Sequence, residues 1–208
     1  VKIHFHKYQA TGNDFVLIDN RTGLYSFTIE QIQKICDRRF GVGADGLILI
    51  EGHPALDFNL NYYNSDGSQS LCGNGSRAGV MMAARLGLLN DKTKFNAYDG
   101  THEAELFPSG IVRLKMNPVT EVKKVGLDYF INTGSPHHLK FVTDLKSYPV
   151  FEDGREIRYS KEYAPKGVNA NFIELGDNNT ISVRTYERGV EDETFSCGTK
   201  VTAAALTT

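Results

Sequence analysis

The 208-residue sequence predicts an α+β fold of two pseudo-symmetric lobes, each a curved, mostly antiparallel sheet around a buried central helix. Three observations carry that expectation. Segments of alternating polarity outnumber helical ones, and long crossovers suited to a parallel sheet are scarce. A cysteine–glycine pair opens an apolar helical run twice, at Cys72-Gly73-Asn74-Gly75-Ser76-Arg77-Ala78 and at Cys197-Gly198-Thr199-Lys200-Val201-Thr202-Ala203. The landmarks also repeat at nearly one period, Gly12 and Gly134 standing 122 residues apart and the two cysteines 125. Two homologous lobes, 1–118 and 119–208, account for that repetition.

Val1, Ile3 and Phe5 alternate with Lys2, His4 and His6, which reads as a strand over residues 1–8. A turn at Thr11-Gly12-Asn13-Asp14 leads to a second strand at 15–18 and completes a pair. Thr28 and Gln31 match a capping box, and Ile29, Ile32, Ile35 and Cys36 follow at helical spacing, so Cys36 is expected in the core. The glycine-rich loop at 40–46 lacks the Lys-Ser/Thr of a phosphate cradle and runs into a strand at 47–50, so it reads as a turn. Phe58, Leu60 and Tyr62 alternate in another strand, ending at the turn Asn64-Ser65-Asp66-Gly67.

The helix expected over 74–86 carries Ala78, Val80, Met81, Ala83, Ala84 and Leu86, is apolar on most sides, and stops at Gly87. It is the buried helix of the first lobe. Strands at 95–98, at 104–107 and through Val112, Leu114 and Met116 follow, joined by Asp99-Gly100 and Ser109-Gly110, and Pro118 closes the lobe. The order then begins again. A strand at 127–132, the turn Thr133-Gly134-Ser135-Pro136 and a strand at 137–142 answer the start of the chain. Strands at 169–175 and 181–185 flank Asp177-Asn178-Asn179, and Glu187-Arg188-Gly189 leads toward Cys197. The second lobe runs 11 residues past its cysteine where the first runs 46. By symmetry about 35 residues lack a counterpart, and a truncated chain is expected.

Composition is that of an ordinary globular protein. With 23 Lys and Arg against 25 Asp and Glu, the net charge of -2 leaves no basic footprint for nucleic acid or an anionic membrane. Three cysteines, an odd number, argue against a disulfide framework and for a reducing compartment, with the cytoplasm as default. No signal-peptide core and no membrane-length apolar run is present. His137 and His138 are adjacent and face opposite sides of a strand, and neither His-Glu-x-x-His nor paired Cys-x-x-Cys occurs, so no metal is expected. No lysine stands in a Schiff-base motif, and no cofactor is expected.

The thiols carry the chemistry. A cysteine at a helix N-terminus feels unpaired N–H groups and the positive end of the helix dipole, which favour the thiolate, and the same N–H groups bind carboxylates. Two such ends facing one another would hold an amino acid's carboxylate and set one sulfur on each side of its α-carbon. Taken singly, Cys72 or Cys197 is more often a small buried hydrophobe; the paired motif reverses that balance. Asn13 and Asn64 read equally as turn formers, Glu187 and Arg188 as a surface ion pair, and His137 as a core histidine.

The motifs Thr11-Gly12-Asn13-Asp14-Phe15, Asn64 with Asp66-Gly67, Cys72-Gly73-Asn74-Gly75-Ser76-Arg77, Gly134 with Pro136-His137, Val168-Asn169, Glu187-Arg188-Gly189 and Cys197-Gly198-Thr199 span nearly the whole chain. On these residues the sequence resembles the diaminopimelate epimerase family. The resemblance implies a cofactor-independent enzyme that interconverts LL- and meso-diaminopimelate for lysine and cell-wall synthesis, with Cys72 and Cys197 as the two proton-transferring bases. It further implies that Gly73, Asn74, Gly198 and Thr199 supply N–H groups to the reacting carboxylate. Asn13, Asn64, Asn169, Glu187 and Arg188 would read the distal end, His137 would orient a site group, and the enzyme would be a homodimer.

Two positions depart from the family. Lys200 stands where glycine is usual, opposing the dipole yet able to favour a thiolate or hold a carboxylate, and Ser135 stands where asparagine is common. The alternatives are another cysteine-pair racemase, acting on proline or hydroxyproline, and a non-catalytic ligand-binding relative. Asn74 and the Glu187-Arg188 pair disfavour the first; Lys200 motivates the second. A thiol–disulfide redox protein is disfavoured because the cysteines lie in separate lobes.

Overall fold

A computed structural model describes residues 2–195 and 197–208. Val1, at the head of the expected leading strand, and Ser196, before Cys197, lie outside the described residues. The chain divides into two compact units, Val1–Met116 and Asn117–Thr208.

In the first unit, β1 (His6–Ala10), β2 (Asn13–Asp19), β3 (Gly46–Glu51), β4 (Phe58–Asn64), β5 (Lys92–Ala97), β6 (Gly100–Leu106) and β7 (Val112–Leu114) form one sheet in sequence order. Helix α1 (Ile29–Cys36) follows β2, and α2 (Gly73–Arg85) follows β4. In the second unit the sheet order is β13-β12-β11-β10-β9-β8. These strands are β8 (Val122–Val125), β9 (Asp128–Asn132), β10 (Pro136–Phe141), β11 (Asn169–Leu175), β12 (Ile181–Glu187) and β13 (Asp192–Glu193). Helix α3 (Val150–Arg158) lies between β10 and β11, and α4 (Gly198–Thr207) follows β13.

Helix α2 packs against both edge strands of its sheet, β1 and β7, as well as β2, β3 and β4 between them, so the sheet curls around it. Phe15 and Leu17 of β2, Ile48 and Ile50 of β3, and Phe58 and Leu60 of β4 meet Ala78, Val80, Met82 and Ala83 of the helix in one core. The alternate residues Val16, Ile18, Leu47 and Leu49 face the other way, against Ile32 and Cys36 of α1. Burial on both faces is why β2 and β3 read as continuous apolar runs instead of alternating. Each of the Val, Leu, Ile, Phe and Met side chains among these contributes about 1.5–3 kcal/mol when fully buried. The capping box of α1 forms as expected, with the Thr28 Oγ1 accepting from Gln31 N–H and the Gln31 Oε1 accepting from Thr28 N–H.

The second unit repeats the pattern. Ala203 and Ala204 of α4 pack on Ile131, Leu139 and Ile173, while Val150 of α3 covers Ala170, Phe172 and Tyr186 on the opposite face. In both units a strand–helix–strand passage ends in a parallel pair, β2 with β3 and β10 with β11, and a third parallel pair joins β4 to β5. The remaining ladders are antiparallel.

Four details correct the sequence reading. The leading strand begins at His6, where its pairing with β2 starts opposite Leu17, and Phe5 stays exposed. Helix α3 was not expected; it supplies the crossover that the parallel β10/β11 pair needs. Strand β8 was missed as well, and it pairs with β9 across the tight turn that carries Gly126 at φ +62°. The alternation through Val112 and Leu114 forms a strand, but the strand stops before Met116. Among the described residues no helix is long and apolar enough to cross a membrane.

Candidate active site

Sheet register gathers the polar residues of each unit at one end. In the first unit Gly46 of β3 pairs with Phe15 on one side and Asn64 on the other, so the start of β2 and the end of β4 lie level. The chain then turns through 65–70 into α2, whose N-cap is Cys72. The Cys72 sulfur accepts the Gly75 N–H at 3.3 Å, and its thiol donates to Asn13 Oδ1 at 3.7 Å. That amide cannot be turned round, because its Nδ2 donates to the Asp45 carboxylate at 2.6 Å and a carboxylate only accepts.

Asp45 is held in turn. Arg38 bridges Asp45 and Asp14, at 2.7 Å to each, and Lys7 reaches Asp14 at 2.8 Å. Burial would raise the Asp14 carboxyl, but the Arg38 and Lys7 bonds outweigh it and hold the group well below the usual carboxylate range. Asn64 turns toward its own loop, its Nδ2 donating to Ser68 and Ser70 and its Oδ1 accepting from the Tyr62 hydroxyl. Gly73 and the buried Asn74 form the first positions of α2, where helical N–H groups have no carbonyl within the helix to bond. Cys36 is a different kind of thiol: burial pushes it up to about 11, which leaves it inert.

The second unit builds the same frame. His137 of β10 pairs with Asn169 of β11, the neighbouring Ala170 pairs with Tyr186, and Glu187 ends β12. Asn169 clasps three segments: its Nδ2 donates to Ser135 Oγ at 2.8 Å and Pro136 O at 2.9 Å, and its Oδ1 accepts the Arg188 N–H at 2.9 Å. Glu187 accepts from Thr194 Oγ1 at 2.5 Å, and the Arg188 guanidinium donates to Lys166 O at 3.3 Å.

Cys197 is the N-cap of α4, and a directed chain of hydrogen bonds reaches it. Asn171 donates its Nδ2 to the carbonyls of His138 and Asn169, which fixes the amide, and the same Nδ2 faces His137 Nδ1 at 3.2 Å. His137 is fully buried, and burial, the largest cause, depresses it to about 4, so the ring is neutral at pH 7. Because Nδ1 faces an amide nitrogen, which cannot accept, the ring proton sits on Nε2 and is donated to Thr199 Oγ1 at 3.0 Å. The Thr199 hydroxyl lies 3.0 Å from Cys197 Sγ and can donate to that sulfur when it is a thiolate. Burial and the Glu187 charge push the Cys197 thiol up, while the Thr199 hydroxyl and the Lys200 N–H pull it down. That N–H faces the sulfur without closing the cap bond that Gly75 makes to Cys72.

The structure thus links Asn13 with Cys72, and Ser135 with Asn169 and Arg188, and joins His137, Thr199 and Cys197 in a single line. Asp45, Arg38 and Asn171 were not singled out from sequence. Asn171 carried a usable signal, since it lies two residues from Asn169 on one strand face, next to the apolar Ala170, Phe172 and Ile173.

The fold is shared with solved structures of several kinds of protein. One is a hydroxyproline epimerase from Agrobacterium vitis, with a TM-score of 0.70 at 14% identity over 97% of this chain and 75% of that one. Another is a phenazine biosynthesis protein of the PhzF family from Bacillus anthracis, with a TM-score of 0.68 at 15% identity over 99% of this chain and 79% of that one. The class is therefore the two-lobed fold seen in these proteins. The particular family follows from sequence: the family pattern described as diaminopimelate epimerase matches residues 5–122 and 129–208. Relatives named diaminopimelate epimerase are 50% identical in Flavobacterium psychrophilum, over 97% of this chain and 79% of the relative, and 45% identical in Chlorobaculum tepidum, over 95% and 80%. The chain belongs to the diaminopimelate epimerase family.

Proposed function

We propose that the chain is a cofactor-independent isomerase that interconverts LL- and meso-diaminopimelate. The observation that carries this reading is the pair of cysteine N-caps, Cys72 on α2 and Cys197 on α4, each with its own set of hydrogen-bond partners. One sulfur, as thiolate, takes the α-proton and becomes a thiol. The electron pair passes into the adjoining carboxylate, and the other thiol delivers its proton to the opposite face and becomes a thiolate. The pair is left with its protonation exchanged, ready for the reverse direction.

An α-proton beside a carboxylate is very weakly acidic, so the charge that builds needs preorganised donors. The N–H groups of Gly73, Asn74, Gly198 and Thr199 at two helix N-termini suit that role. Asn13, Asn64, Asn169, Glu187 and Arg188 would read the distal amino-acid group, Arg188 as a fork for carboxylate and Glu187 for ammonium. Ser135 would act through Asn169, and His137 through Thr199. A homodimer and a cytoplasmic setting complete the reading.

The test is conversion of LL-diaminopimelate to the meso isomer under reducing conditions, followed by chiral chromatography. Accumulation of meso product, with proline and hydroxyproline unconverted, supports it. Conversion of the prolines instead would assign the chain to a different racemase.

A further inference from the structure

Lys200 sits three residues after Cys197, in the first turn of α4, and is only 2% exposed. Lysine is almost never fully buried unless its charge is met. The equivalent position of α2 is Gly75, where an added Cβ would lie 3.3 Å from Cys72 Cβ and 3.4 Å from Cys72 Sγ. A side chain at this helix position therefore starts out alongside the sulfur of the N-cap cysteine.

The Lys200 ammonium donates to Thr194 O at 3.0 Å, which accounts for one of its three donors. Burial pushes the Lys200 amine down, and three acidic groups oppose that shift: Cys197, Glu187 of β12 and Glu193 of β13. Glu193 is already engaged by both arms of Arg184 at 2.7 Å, and Glu187 takes a hydrogen bond from Thr194. On the sulfur's side, Glu187 opposes ionisation, and His137 of β10 is neutral and lends no charge. The Arg188 guanidinium is directed to the Lys166 carbonyl. Among the described residues, Lys200 is the cation whose charge lowers the Cys197 thiol.

We propose that Lys200 is the charge partner of Cys197, a buried ammonium that stabilises this sulfur whenever it is ionised. The proposal deepens the epimerase reading and rests on it for its catalytic meaning. In the first unit the Gly75 N–H caps the sulfur directly; in the second the Lys200 N–H bears on the sulfur without a closed cap bond, and the lysine charge adds to it. Thiolate and ammonium titrate as a pair, so removing the amine moves the thiol rather than simply deleting a contact. A nearby opposite charge lowers an acidic group by about 1–3 pH units, and the lower part of that range is expected for this thiol. Lys200 is a positioning residue in this account, since it acts on substrate through Cys197.

The test is the pH dependence of iodoacetamide alkylation at Cys197, resolved from Cys36 and Cys72 by peptide mass spectrometry. The full chain is compared with Lys200→Met, which keeps length without charge, and Lys200→Gly, which copies the first unit. Both variants are expected to shift the Cys197 profile upward by about 1–2 pH units, cutting alkylation below the transition roughly 10- to 100-fold. The Cys72 profile should stay in place. If Lys200→Met fails to fold by circular dichroism, Lys200→Gly decides. A Cys197 profile that does not move in the folded variant overturns the ion pair, whatever the epimerase activity. Loss of the epimerase reading, seen as no α-proton exchange in the parent chain, leaves this thiol measurement intact.

Discussion

Replacing Thr199 by valine tests the hydrogen-bond chain at its centre. Valine has the shape of threonine, so the buried pocket is filled and only the hydroxyl is lost. Two bonds go with it, each 3.0 Å long: the one received from His137 Nε2 and the one given to Cys197 Sγ. A hydrogen bond to an ionised group is worth about 1.5–3 kcal/mol, so catalysis through the Cys197 thiolate should fall roughly 10- to 100-fold. Separately, the buried His137 Nε2–H loses its acceptor, which costs about 1–3 kcal/mol of folding stability. Thr199→Ser keeps the hydroxyl and should retain most of both quantities. The assay pairs initial rates of diaminopimelate epimerisation with urea unfolding of the same samples. A valine variant within about twofold of the parent rate, and within about 0.5 kcal/mol of its stability, would refute the chain from Asn171 to Cys197.

His137 also makes stability depend on pH. Its folded value of about 4 lies below the ordinary 6.5, so the unfolded state binds the extra proton first as pH falls. Stability from this group is complete above pH 6.5 and is lost as pH drops toward 4, by at most about 3 kcal/mol; urea midpoints across that window should fall in the parent and fall less in His137→Gln. Gly154 lies in α3 where an added Cβ would sit 2.3 Å from Tyr186 Cβ. Gly154→Ala should therefore destabilise by about 1–3 kcal/mol in thermal unfolding, against the gain that alanine brings to an ordinary helix interior. Asp45→Ala frees the Asn13 amide from its 2.6 Å anchor and should raise KM for diaminopimelate roughly tenfold; an unchanged KM would remove Asn13 from substrate reading.

Much of the core was legible because burial on both faces leaves long apolar runs, as at 15–18 and 47–50. The two cysteine N-caps were legible for another reason: glycine after cysteine, then small residues, is a local signal that needs no tertiary context. Helix α3 was obscure. It has Pro149 at its N-cap with no side-chain bond and a glycine in its middle, both unfavourable to a helix taken alone. Its glycine is there because Tyr186 leaves no room for a side chain. The repeat nonetheless pointed to α3, since α1 moved on by the Gly12-to-Gly134 interval falls at 151–158.

The site divides along the same line. Residues in motifs were visible, whereas Asp45, Arg38 and Asn171 act through partners distant in sequence. Asp45 lies in a loop that reads as a turn, and its carboxylate gains meaning only when β3 and β2 pair and bring it to Asn13. Lys200 was visible as a departure from the family, but its burial and the direction of its ammonium required the fold.

The central claim is that the two cysteines act on one α-carbon, one removing its proton and the other delivering a proton to the opposite face. Exchange of the α-proton of LL-diaminopimelate in deuterated water, under reducing conditions, should be readily measured for the parent chain and abolished in both Cys72→Ala and Cys197→Ala. Exchange that survives at the parent rate in either variant would contradict a two-base mechanism.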